Sequence, residues 1–215
     1  MSERGTFISF EGPEGSGKTT QASRLVSRLE GCGHRVLRVR EPGGTPTGEA
    51  IRGILQHNQA GEPIEPATEV LLFAASRAQL VDCKILPALA EGTWVVSDRF
   101  ADSTTAYQGF GRGFGLEPMQ VINAFAIREA RPAVTFLLDL PVEEGLARVR
   151  RRSEARNRAL DRIESETIAF HQRVRDGYLE LARREPDRFR LVDAQQPEDA
   201  VEAEIWEKLQ HVALP

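Results

Sequence analysis

Residues 10–20 read Phe-Glu-Gly-Pro-Glu-Gly-Ser-Gly-Lys-Thr-Thr and fit the pattern G-x-x-x-x-G-K-[ST] at the end of an apolar run. No other feature constrains the fold as tightly, because the pattern works as a turn from a buried strand into the first turn of a helix. Glycines let successive backbone N–H groups converge on phosphate oxygens, and the helix directs its positive end at them. The flanks agree. Residues 6–10 read as a strand, and Ala22, Leu25, Val26 and Leu29 recur at i, i+3, i+4 and i+7 as one helix face. Gly12, Pro13, Glu14, Gly15, Ser16, Gly17, Lys18 and Thr19 are thus candidate residues for binding a nucleoside triphosphate, with Lys18 reaching the β and γ oxygens and Thr19 ligating Mg²⁺.

Apolar, β-branched segments follow at 35–40, 93–97 and 134–138, with a weaker one at 189–192, and helical patterns lie between them. Alternation of this kind predicts an α/β fold with a doubly wound parallel sheet. One long helix is expected over about 67–86, with Val70, Leu71, Ala74, Ala78, Val81 and Ile85 as its apolar stripe and Pro87 near its end. A second is expected over about 161–183, carrying Ile163, Phe170, Val174 and Leu181 on one face. At 215 residues the chain fits one domain with a substantial core. The net charge of −4 and pI near 5.7 argue against nucleic acid or an anionic membrane as partner. Cys32 and Cys83 form neither a metal spacing nor a disulfide framework, and no run approaches a membrane span. The N-terminus shows no signal pattern, so the expectation is a cytoplasmic protein.

In parallel sheets ligands bind beyond the carboxyl ends of the strands, which singles out Glu41-Pro42-Gly43-Gly44-Thr45, Asp98-Arg99 and Asp139. An acid beside an arginine suits a site holding metal waters and a phosphate together, which makes Asp98 and Arg99 candidates for catalysis and Asp98 for metal. Asp139 reads equally well as a helix cap. Phe73 and Arg77 stand four apart on the flank of the first long helix, where an aromatic and a fork donor can stack on a base and bond its edge. Residues 103–109 add hydroxyl and amide groups at a glycine-rich bend. Between Arg148 and Arg162 there are seven arginines. Such a run is ordinarily a solvated face, but the phosphate loop carries Glu14 and no arginine, and phosphoryl transfer needs positive charge around the moving group. A basic lid at about 148–161 would supply it.

Taken together, Glu-Gly-Pro-Glu-Gly-Ser-Gly-Lys-Thr-Thr, Arg-Glu-Pro-Gly-Gly-Thr at 40–45, Leu-Phe-Ala-Ala-Ser-Arg at 72–77, Asp98-Arg99, Thr-Ala-Tyr-Gln-Gly at 105–109 and Asp-Arg-Ile-Glu at 161–164 closely resemble the bacterial thymidylate kinases. The resemblance implies a five-stranded nucleoside-monophosphate-kinase fold that commonly dimerises. It implies transfer of the ATP γ-phosphoryl to dTMP with Mg²⁺, giving dTDP and ADP. By position, Phe73 would stack on thymine, Arg77 would bond its edge, and Thr105 and Gln108 would support base recognition. Arg99 would hold the dTMP phosphate, Glu14 would meet the sugar 3′-hydroxyl, and Tyr107 would crowd the 2′ position. Residues 194–196 would border adenine. The catalytic arginine would come from the lid, with Arg152 favoured and Arg156 and Arg158 as alternatives.

Two other functions compete: a kinase for a different small nucleotide or deoxynucleoside, and a nucleotide-binding regulator without turnover. A nucleoside acceptor would need a base to activate a neutral hydroxyl, whereas a monophosphate is already ionised and Arg99 suits it.

Overall fold

The computed structural model describes residues 4–57, 59 and 61–211. Its centre is a parallel sheet of β1 (Phe7–Glu11), β2 (Val36–Arg40), β3 (Trp94–Asp98), β4 (Val134–Asp139) and β5 (Phe189–Asp193), in the order β2-β3-β1-β4-β5. All five residues of β1 are buried, as expected of the middle strand of a sheet covered on both faces. Alternation along β1 divides the core. Ile8 and Phe10 pack with Ala22, Leu25 and Leu29 of α1 (Lys18–Gly31) and with Ile205 and Leu209 of α9 (Glu198–Gln210). Phe7 points the other way, to Leu80, Val81, Ile85 and Phe100. Arg40 and Phe10 both lie level with Asp98, so the loops leaving β1, β2 and β3 emerge side by side at one edge.

The remaining α-helices among the described residues are α2 (Pro46–His57), α3 (Pro66–Leu80), α4 (Leu86–Ala90), α5 (Ala101–Thr104), α6 (Leu116–Ile127), α7 (Val142–Ala155) and α8 (Ile168–Arg184). Where the sequence suggested a glycine-rich bend at 103–109, α5 instead continues as a π-helical segment over Thr105–Gly111. The first long helix departs from expectation at its end. It widens into a π-helical turn at Val81–Ile85 and runs on as α4 past Pro87, a change of pairing that coincides with the missing proline N–H. Leu71 also leaves the predicted stripe and is 60% exposed.

The second long helix starts later than expected, at Ile168. Asp161 Oδ1 accepts from the backbone N–H groups of Ile163 (2.9 Å) and Glu164 (2.8 Å), closing a separate turn. Thr167 then caps α8, its Oγ1 accepting from Phe170 N at 3.2 Å. Short polar side chains that capture nearby N–H groups compete with helix in this way. Ile163 still reaches the core formed by Phe170, Val174 and Leu181, but from the turn rather than the helix.

Candidate active site

The phosphate loop connects β1 to α1 under close packing. Gly12 and Gly15 have φ of 142° and 73°, and a Cβ would run into the Leu138 carbonyl at the first and the Gly145 carbonyl at the second. Lys18 is buried and folds back on its own loop, donating to Gly12 O (3.0 Å), Pro13 O (2.7 Å) and Ser16 Oγ (3.3 Å). Its burial and the Arg99 charge lower its pKa to about 8, against the pull of Glu14, Asp98 and Glu11. Phosphate oxygens would offer this ammonium what loop carbonyls now provide. Thr19 Oγ1 donates to Asp98 Oδ2 at 2.5 Å, so the two metal candidates lie together at the mouth of the loop. Among the described residues no group of three His, Cys, Asp or Glu could hold a metal, so a cation here would complete its shell with phosphate and water.

Arg99 follows β3 with φ of 72°, a left-handed conformation that costs a non-glycine residue on the order of 1–3 kcal/mol. Its backbone is held from both sides, since its N–H donates to Phe10 O (3.0 Å) and its carbonyl accepts from Ser97 Oγ (2.6 Å). That turn aims the guanidinium across the cleft, where Nη2 meets Glu14 Oε1 at 2.5 Å and Nη1 meets Tyr107 Oη at 3.2 Å. Tyr107 Oη also donates to Glu14 Oε1 at 2.8 Å. Burial alone would raise the Glu14 pKa, but the Arg99 and Lys18 charges and the Tyr107 bond bring it down to about 2. Glu14 is therefore an ionised acceptor at any working pH.

A cleft of about 350 Å³ opens beside these groups. Its walls include Glu14, Lys18, Thr19, Asp98, Arg99, Tyr107, Phe73 and Gln108, together with Arg152, Arg156 and Arg158 of the basic run. Members of the predicted phosphate, base and lid sets thus share one cavity. Arg152 Nη2 and Arg158 Nη2 both donate to Glu164, at 2.9 and 2.8 Å, and this carboxylate is 5% exposed. Arg148 turns away instead, to Glu144 and the Ala194 carbonyl.

Other candidates take different places. Arg77 is 1% exposed and is not a wall residue. Its Nε and Nη2 bind Glu41, its Nη2 also Thr104 Oγ1 and Phe100 O, and its Nη1 Asn123 Oδ1. Among the described residues those bonds leave one Nη1 hydrogen without a protein partner. Thr105 likewise lies behind the wall, accepting from Asn123 Nδ2 at 3.1 Å. Asp139 is engaged by Arg175 through two 2.8 Å bonds, which joins β4 to α8 and makes it structural. Residues 194–196 do not line the cleft.

Sequence reasoning missed Arg52 and Gln56 on α2 and Arg40 at the end of β2, all of them wall residues. Nothing local distinguishes Arg52 from a solvated helix arginine; packing of α2 beside the cleft does. Glu11 lies in the strand-end stretch that the sequence singled out, but it was given no role of its own. Fully buried, it accepts from Phe100 N (2.7 Å), Ser103 Oγ (2.6 Å) and Tyr178 Oη (2.9 Å). Burial first and the Asp102 charge second push its pKa up to about 7.

A phosphate loop on the middle strand of a β2-β3-β1-β4-β5 sheet, with an acid and a strained arginine on the adjacent strand, defines a P-loop phosphotransferase of the nucleoside-monophosphate-kinase fold. Residues 10–205 match the family described as thymidylate kinase. The thymidylate kinase of Deinococcus radiodurans is 49% identical over 203 residues, covering 94% of this chain and 95% of that protein. That of Trichlorobacter lovleyi is 47% identical over 211 residues, covering 97% and 99%. The crystal structure of thymidylate kinase from Ehrlichia chaffeensis aligns with a TM-score of 0.78 at 31% identity, covering 96% of this chain and all of that one. The chain belongs to the thymidylate kinase family, and it transfers the ATP γ-phosphoryl group to dTMP to give dTDP and ADP. The readings as a kinase for another acceptor and as a regulator without turnover are thereby set aside.

Proposed function

We propose that the whole chain acts as one kinase domain in which the lid at about 148–161 closes on the donor while residues of α3 and the segment after α5 hold the acceptor. The observation that carries this is the Glu14–Arg99–Tyr107 triangle, whose members line one cleft together with Lys18, Phe73 and Gln108. Arg99 binds the dTMP phosphate, exchanging Glu14 for phosphate oxygens. Glu14 is left to accept from the sugar 3′-hydroxyl. Tyr107, tied to Glu14, lies against the 2′ carbon. Phe73 stacks on the thymine ring, and Arg77 reaches the base edge through its remaining Nη1 hydrogen, with Thr105 behind it.

Lys18 neutralises the β and γ oxygens, and a lid arginine, Arg152 or Arg158, meets charge developing on the transferred group. The Thr19 hydroxyl and the Asp98 carboxylate would hold Mg²⁺, whose chemistry is to neutralise the donor phosphates. The acceptor phosphate is already ionised at neutral pH, so no protein base is required.

The enzyme works as a cytoplasmic homodimer in this reading. Support for the dimer is that α3 packs on α6 and that these two helices expose large apolar side chains, Leu71, Val121 and Phe125, by 60, 67 and 86%. No described helix is long and apolar enough to cross a membrane.

The test is ADP release with dTMP, dCMP, dAMP and dGMP as acceptors, for wild type and Lys18→Ala. Preference for dTMP in wild type, and loss of turnover with dTMP binding retained in the variant, is expected. Normal kcat in folded Lys18→Ala would overturn the site.

A further inference from the structure

Glu69 stands one turn before Phe73 on α3, and it is a fully buried carboxylate that the reaction itself does not use. Gln108 Nε2 donates to its Oε1 at 2.6 Å. Arg112 donates to the same carboxylate through Nε (3.3 Å) and Nη2 (3.2 Å), and Arg162 pairs with it through Nη1. Burial works to raise the Glu69 pKa, but the bonds from Gln108 and Arg112 and the Arg162 charge outweigh it and hold the pKa below the ordinary value. The group is ionised, and an ionised carboxylate can only accept.

That restriction fixes the neighbouring amide. An amide side chain has one accepting end and one donating end of nearly equal size, and its orientation follows its partners. Facing Glu69, Gln108 must turn its NH₂ toward the carboxylate; the opposite orientation would set two acceptors 2.6 Å apart. Its Oε1 is then directed elsewhere. Among the described residues Oε1 has no protein donor, yet it is not a buried orphan, and Gln108 is a wall of the cleft. The unpartnered acceptor thus belongs to a nearly buried side chain that lines the same cleft as Phe73.

We propose that Glu69 is a positioning residue for pyrimidine choice: it locks the Gln108 amide with its oxygen toward the base, where it accepts from the ring N3–H of thymine and repels the N3 lone pair of cytosine. This rests on the placement of the base against Phe73 and Gln108. Selectivity of this type comes as much from the wrong partner's uncompensated acceptor as from the right one's bond. In Glu69→Gln the facing amide can donate or accept, so Gln108 is free to turn and offer its NH₂ to cytosine N3.

The experiment is the ratio of kcat/KM for dTMP to that for dCMP, in wild type, Glu69→Gln and Gln108→Leu. A ratio is independent of the fraction of protein that is folded, so a general structural defect leaves it unmoved. Both variants should lower it by about tenfold or more, the loss expected when a buried polar group meets the wrong partner. A lowered ratio in Gln108→Leu with an unchanged one in Glu69→Gln overturns this inference while leaving the base site in place. An unchanged ratio in both overturns the base site as well. Should Glu69→Gln alone fail to fold, Glu69→Gln with Arg162→Gln gives the same readout with the charge balance kept. It also removes a guanidinium whose Nη2 is already buried without a partner.

Discussion

Glu11 ends β1 immediately before the phosphate loop, and its three donors do not make it a comfortable anion. Burial and Asp102 outweigh them, so the carboxyl titrates near 7 in the folded chain against 4.5 when exposed. Between those values the folded state binds a proton that the unfolded state has lost. Stability from this group is therefore complete below pH 4.5 and falls away as pH rises through 7. Two and a half pKa units correspond to on the order of 3 kcal/mol. Glu11→Gln should remove the dependence, because the Ser103 and Tyr178 hydroxyls can turn to accept from the new amide. Denaturant unfolding at several pH values between 4.5 and 8 checks this. Wild type should lose stability relative to the variant as pH rises, and parallel curves would count against it.

In the proposed lid the charges are gathered rather than spread. Two arginines from either side of its tip, Arg152 and Arg158, converge on Glu164 at the cleft wall, so one acid holds two like charges where the donor phosphates would lie. Replacing both by alanine should lower kcat by roughly 10²-fold with little change in KM for dTMP, as expected of charge stabilisation confined to the transition state. Each single substitution should cost less than half of that loss in free energy, because the remaining guanidinium shares the same partner. A double variant within a few-fold of wild type would return the basic run to a solvated face.

For the molecule as a whole, the surface at α3 and α6 carries the prediction. Val121 and Phe125 lie one turn apart on α6, which packs on the helix that carries the exposed Leu71, and exposed apolar side chains on neighbouring helices are what an interface between copies would cover. A second copy of the chain is its partner in this reading. Phe125→Asp should shift the protein from dimer to monomer in sedimentation experiments at micromolar concentration, since a carboxylate buried at such a face would lack a partner. A wild-type monomer at that concentration would refute it.

The features that could be read from the chain are those whose physics is local. The phosphate loop is a contiguous pattern, the strands are runs of β-branched residues, and the face of α1 is a 3.6-residue period, so each was legible without knowing what packs against it. Phe73 and Arg77 were rightly placed on one helix face, but their fates diverged. Phe73 lines the cleft, whereas Arg77 is claimed by Glu41 from the loop after β2 and by Asn123 from α6. The start of α8 was misplaced because Asp161 and Thr167 capture backbone N–H groups that periodicity alone assigns to a helix. Leu71 and Glu11 carry marks that mislead or say nothing of their role, and Arg52 and Glu69 carry none. Whether such a side chain is core, surface or site depends on which distant segment faces it, and a partner remote in the chain has no trace in the residues on either side.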